Sequence, residues 1–219
     1  MDARRQFHGD LETLQQDLLR MGALVEESIF KAVRALIDQN PELAAEVIAG
    51  DDAIDRMEVD IETRSLDLIA LQQPMAGDLR ILGTALKAVT DLERIGDHSV
   101  DIAKIVQRMN RQPWASPLID IPRMAGLVEG MTRDGLTAYI RRDTELAVTL
   151  ADRDDEVDGL YGKIFRELIA GMLAAPATVE QSTQLLFVAQ HLERVGDHAT
   201  NIGEWVIYMV HGVRRDLNI

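Results

Sequence analysis

The chain has 219 residues, 47% of them apolar and only 4% aromatic, with 37 acidic against 23 basic side chains and a formal charge of −14. So acidic a surface repels phosphate backbones and excludes broad binding to nucleic acid or anionic membrane. The lack of cysteine excludes disulfides, thiolate metal sites and thiol nucleophiles together.

Met1 to Leu19 intersperses Asp2, Arg4, Arg5, Asp10, Glu12 and Asp17 among its apolar residues, so no signal-peptide core is read there. No apolar run reaches the ~18–20 residues of a membrane span. The expectation is a soluble, cytoplasmic protein without membrane insertion. Helical periodicity dominates: Leu11, Leu14, Leu18, Met21, Val25, Ile29, Val33 and Leu36 keep a three-to-four spacing along the first predicted helix, near 5–38. The second, near 41–72, starts at Asn40-Pro41-Glu42, an N-cap followed by an acid-bearing first turn. Pro74 separates it from a third helix near 76–109. Residues 110–122 hold Pro113, Pro117 and Pro122, half the prolines of the chain, and read as a join. Three further helices follow near 117–142, 144–173 and 178–211; Asp143-Thr144-Glu145 caps the fifth, and Pro176 stands before the sixth. Helices of ~30 residues run roughly 45 Å. The fold class expected is all-α, two tandem, pseudo-symmetric three-helix bundles, with domains at 1–112 and 113–219.

The symmetry is written in the residues. Leu92-Glu93-Arg94-Ile95-Gly96-Asp97-His98 returns one hundred positions later as Leu192-Glu193-Arg194-Val195-Gly196-Asp197-His198. Asp51-Asp52-Ala53-Ile54-Asp55 likewise returns as Asp154-Asp155-Glu156-Val157-Asp158. Glu93/Asp97, Glu193/Asp197, Asp51/Asp55 and Asp154/Asp158 all stand four apart, which puts each pair on one helix face. Asp101 continues the first stripe as an added candidate metal ligand of the first half, whereas Asn201 occupies its place in the second. Glu58 and Glu62 extend the Asp51/Asp55 stripe but align with Tyr161 and Phe165, so they do not repeat.

One such acidic pair is an ordinary solvated face, and like charges so placed cost roughly 0.2–0.5 kcal/mol each. Repetition on two helices per half points instead to a compensating cation. Oxygen-only ligand sets suit hard or borderline ions such as magnesium, manganese and iron. Gly96 and Gly196 each cost ~1 kcal/mol relative to alanine in mid-helix. Either a close helix crossing or a bound ion cluster accounts for them. Arg94 and Arg194 read as carboxylate anchors or plain surface cations. His98 and His198 point ~100° away from the aspartates and read as groups that support the metal-binding carboxylates or hydrogen-bond within the core, rather than as ligands. His8, His191 and His211 follow no metal spacing.

With Gln73-Pro74 and Asp78-Leu79-Arg80 ahead of the doubled phrase, nearly the whole chain resembles the PhoU family of bacterial phosphate-uptake regulators. The resemblance implies multinuclear metal clusters at the paired carboxylates, of iron or zinc, with manganese or magnesium as alternatives. It also implies a homodimer that restrains the phosphate ABC transporter and keeps a sensor histidine kinase from activating phosphate-starvation genes. The partners implied are that kinase and the ATPase subunit of the transporter. Two other readings stay open: a carboxylate-bridged di-metal enzyme and a metal-free helical scaffold. The enzyme is disfavoured because no Glu-x-x-His occurs and no nucleophile–base pair or phosphate loop is evident.

Overall fold

The computed structural model describes residues 2–109 and 120–217, and among these every regular element is a helix. Its helices are α1 (Asp2–Asp38), α2 (Pro41–Gln72), α3 (Gly77–Arg108), α4 (Asp120–Arg141), α5 (Thr144–Ala174) and α6 (Val179–His211), with a 3-10 turn at Pro176–Thr178. The start expected at 117, Pro113, Pro117 and the 112/113 boundary all lie outside the described residues. Pro122, read as part of the join, sits inside the first turn of α4. No ladder hydrogen bond is lost there, because first-turn N–H groups have no intrahelical acceptor.

The matched helix starts have matched atoms. Asn40 Oδ1 accepts from the Leu43 N–H at 3.0 Å, and Asp143 Oδ1 accepts from the Leu146 N–H at 3.0 Å. Each cap satisfies one of the orphan donors of its helix.

Helices α1, α2 and α3 pack on one another, as do α4, α5 and α6; α3 also lies along α6, and α1 meets α4. At the second of these meetings a Cβ on Gly22 would collide with Leu136, and Arg133 of α4 pairs with Glu26 of α1. The buried apolar side chains form one cluster through all six helices rather than two separate cores. Leu14, Leu18, Met21, Val25 and Ile29, the three-to-four stripe of α1, are all fully buried in it.

The α3–α6 seam has a regular register. Thr84 Oγ1 donates to the Trp205 carbonyl at 3.2 Å, His198 Nδ1 lies 2.9 Å from Asp91 Oδ1, and His191 Nδ1 lies 3.2 Å from His98 Nδ1. Thr84, Asp91 and His98 descend α3 in steps of seven, while Trp205, His198 and His191 climb α6 in the same steps. The helices are therefore antiparallel, and each layer is separated from the next by two turns. At the end of the seam Arg80 Nε donates to the Met209 carbonyl at 3.0 Å, and Gly212, at φ 73°, donates its N–H to Tyr208 and closes α6.

Two carboxylate faces and a histidine seam

In each half the acidic stripe of the second helix faces that of the third. Asp51 on α2 feels the charges of Asp55 and Asp97, and Glu93 on α3 feels Asp97, Glu58 and Asp55. On the other side, Asp154 and Asp158 of α5 face Asp197 and Glu193 of α6.

The glycines of the repeated phrase make this approach possible. A Cβ on Gly96 would stand 3.2 Å from Ile54 Cδ1 and 3.8 Å from Asp51 Oδ1. One on Gly196 would stand 3.3 Å from Asp154 Oδ1 and 3.4 Å from Val157 Cγ1. Each glycine thus admits the neighbouring helix together with its leading aspartate. The two sites differ in how much room remains. Ile54 offers a mobile methyl, whereas Asp154 is 8% exposed and held by the Thr200 hydroxyl at 3.3 Å.

Burial and mutual repulsion push the acids toward protonation. Burial first, then Asp97, raises Glu93 to about 7 against the pull of Arg94; burial, Asp197 and Asp158 raise Glu193 to about 7. Burial, then Asp197 and Asp158, raises Asp154 to about 6. Burial is also the main cause of the upward shifts of Asp51, Asp158 and Asp197. Glu93 Oε2 is enclosed and takes no hydrogen bond; Arg94 Nε lies 3.3 Å away, outside hydrogen-bonding geometry.

Arg94 does not grip one carboxylate bidentately. It spans Glu93 and, through its terminal nitrogen, Asp97 at 3.0 Å. Arg194 acts on Glu193 and Asp197 by its charge, opposing the upward shift of each. The faces are unequal, for Glu58 joins the first and is itself raised by burial, then by Glu62 and Asp55. At the matching place in the second half Tyr161 packs against Phe165 instead, ring centroids 6.3 Å apart. Glu58 is readable from the i, i+4, i+7 run of Asp51, Asp55 and Glu58, although it does not repeat in the second half.

Asp101, His98 and His198 are placed on the seam. Asn201 Nδ2 donates to Asp91 Oδ1 at 3.3 Å beside His198, so His198, Asp91 and Asn201 form one layer. His98 and His191 form the next, ring centroids 5.3 Å apart, with Asp101 close to both. Among the described residues, this His98–Asp101–His191 group is the one whose ligand-type atoms all come within 4.8 Å of one another. His191, left without a role by its spacing, is therefore a member of a constellation. Its signal was the seven-residue step to His198, which means something only once α3 is laid against α6.

These features define a class: an all-helical, internally duplicated protein with a carboxylate-lined helix pair in each half and no helix, among the described residues, long and apolar enough to cross a membrane. The sequence profile of the PhoU domain matches residues 18–106 and again 121–206. The chain belongs to the PhoU family. It is 44% identical over 216 residues to a phosphate-specific transport system accessory protein PhoU homolog of Clostridium acetobutylicum, covering 98% of this chain and 99% of that protein. A homolog of the same description from Aquifex aeolicus is 43% identical over 203 residues, 93% of this chain and 92% of the other. The crystal structure of PhoU from Pseudomonas aeruginosa superposes with a TM-score of 0.90 at 36% identity, covering 94% of this chain and 100% of that one. The phosphate transport system regulatory protein PhoU from Streptococcus pneumoniae gives 0.89 at 32% identity, covering 96% and 99%.

Proposed function

We propose that this protein is a cytoplasmic, homodimeric regulator of phosphate uptake that binds multinuclear metal clusters on its two carboxylate faces. It restrains a phosphate ABC transporter through the ATPase subunit and represses phosphate-starvation signalling through a sensor histidine kinase. The protein acts by docking, not by turnover.

The observation that carries this reading is the duplicated carboxylate face in a chain whose near-full-length relatives are named as accessory proteins of phosphate transport. Asp51, Asp55, Glu58, Glu93 and Asp97 would hold the first cluster, and Asp154, Asp158, Glu193 and Asp197 the second. The donor set fits such ions: it is oxygen only, suited to iron, manganese or magnesium, with zinc also able to take carboxylates. The enclosed, unpartnered Oε2 of Glu93 fits as well, since a buried acceptor without a donor is costly. When bound, the ions supply the positive charge that lets these acids stay ionised while facing each other.

Two measurements test the proposal. In the deletion strain, phosphate-starvation genes should be expressed even in abundant phosphate; unchanged repression there would remove the regulatory reading. Protein purified without chelators should carry metal, and Glu93→Ala, Asp97→Ala, Glu193→Ala and Asp197→Ala together should strip most of it. Metal content equal to wild type would remove the cluster assignment while leaving the regulatory one standing.

A further inference from the structure

We propose that His98, Asp101 and His191 form a mononuclear transition-metal site, of the zinc class, that ties α3 of the first half to α6 of the second. It lies on the seam, and it does not depend on the carboxylate faces holding metal.

The geometry is that of a ligand set. A tetrahedral ion with bonds of about 2.0–2.1 Å holds two nitrogens about 3.3 Å apart, and the two Nδ1 atoms stand 3.2 Å apart. Asp101 brings a carboxylate oxygen within 4.8 Å of both imidazoles. Two imidazoles and one carboxylate favour zinc over the hard ions that suit the acidic faces.

One His–His hydrogen bond uses a single nitrogen of each ring, and His98 Nε2 is enclosed with no partner. An ion held by both Nδ1 atoms would replace that hydrogen bond, the donor ring moving its proton to its other nitrogen. The groups around the site oppose each other. Lys104 pairs with Asp101 at 3.3 Å across an exposed surface, a contact worth little. Arg194 adds a second nearby cation, and His198 packs its ring against His98. Asp101 is thus the one negative charge of the ligand set, and the affinity should depend on it.

The duplication supplies an internal control. A shift of one hundred turns positions 91, 98 and 101 into 191, 198 and 201, so the two seam layers are counterparts. In one, the Asp91 carboxylate takes His198 and Asn201 and is satisfied. In the other, histidine stands where Asp91 would be and aspartate where Asn201 would be, and three lone-pair donors converge.

The test uses full-length protein stripped of metal, with zinc as the probe. In calorimetric titration, wild type should bind one equivalent more than His191→Gln or Asp101→Asn, or bind that equivalent at least about 100-fold more tightly. Loss of even an outer-shell partner costs 10–100-fold. The combined variant Glu93→Gln, Asp97→Asn, Glu193→Gln, Asp197→Asn should keep that equivalent. In wild type, zinc should shift the Nδ1 resonances of His98 and His191 together and leave His8 and His211 unmoved, a readout that needs no variant to fold. Unshifted His98 and His191 at saturating zinc would overturn the site, as would His191→Gln binding zinc like wild type. Loss of all zinc from the combined acidic variant would overturn its independence. That outcome is distinct from failure of the carboxylate clusters, which is read from the same variant binding as much metal as wild type.

Discussion

Glu93 and Glu193 set how the metal-free protein responds to pH. Both have folded-state pKa values near 7, above the ordinary 4.5. The folded state therefore keeps protons that the unfolded chain releases from pH 4.5 upward. Their contribution to stability is full below 4.5 and is lost as pH rises through 7. His98 runs the other way: burial lowers it from 6.5 to about 4, so its contribution is full above 6.5 and disappears as pH falls through 4. Between 4.5 and 6.5 the two trends oppose one another, and above 6.5 that of the glutamates prevails. The melting temperature of stripped protein should accordingly fall from pH 6.5 to 8. Glu93→Gln with Glu193→Gln, which fixes the neutral form, should flatten that fall and melt a few degrees above wild type at pH 8. An unchanged slope in the double variant would mean that the acids do not face each other as described.

At the scale of the helix, the end of α6 depends on a residue far away in sequence. Arg80 lies in the first turn of α3, where Ala76 provides no side-chain cap, yet it donates to the Met209 carbonyl in the last turn of α6. The bond supplies a charged donor to one of the carbonyls that a helix end leaves bare. Arg80→Ala should cost about 1.5–3 kcal/mol, the range for hydrogen bonds to charged groups. It should also speed amide exchange in the last turn of α6 while the middle of that helix is unaffected; exchange matching wild type would show the contact to be idle. Helix positions, and the caps at Asn40 and Asp143, were legible because three-to-four periodicity and capping are local. The opposed acids of each half were legible because the repeat doubled them. The partners of Arg80, His98 and Asp101 were not, because they sit on α6 in a register that no local pattern encodes. Thr200, which holds Asp154, stands where the first half has Val100, and repeat matching is blind to such a residue.

At the scale of the whole molecule, metal held on the two faces proposed to bind it would make stability a function of metal supply. Ions that bind only the folded chain stabilise it by about 2.7 kcal/mol per site at a hundredfold excess over Kd. A chain of this size gains about 2–4 °C per kcal/mol. Filling both faces should therefore raise the melting temperature by on the order of 10–20 °C above that of the stripped protein, as read by calorimetry. No shift with iron, manganese, magnesium or zinc would leave the facing acids without a ligand. The seam carries a different implication. Layers that exchange under a hundred-residue shift are what two identical subunits build around a dyad, where each contact must occur twice. In such a dimer the residue opposite His98 and the residue opposite its twin would have to be the same. Here one is His191 and the other Asp91. Two equal subunits cannot encode that difference, whereas a single fused chain can, since each copy of the repeat mutates on its own. The unlike layers of the seam are a freedom that covalent linkage confers.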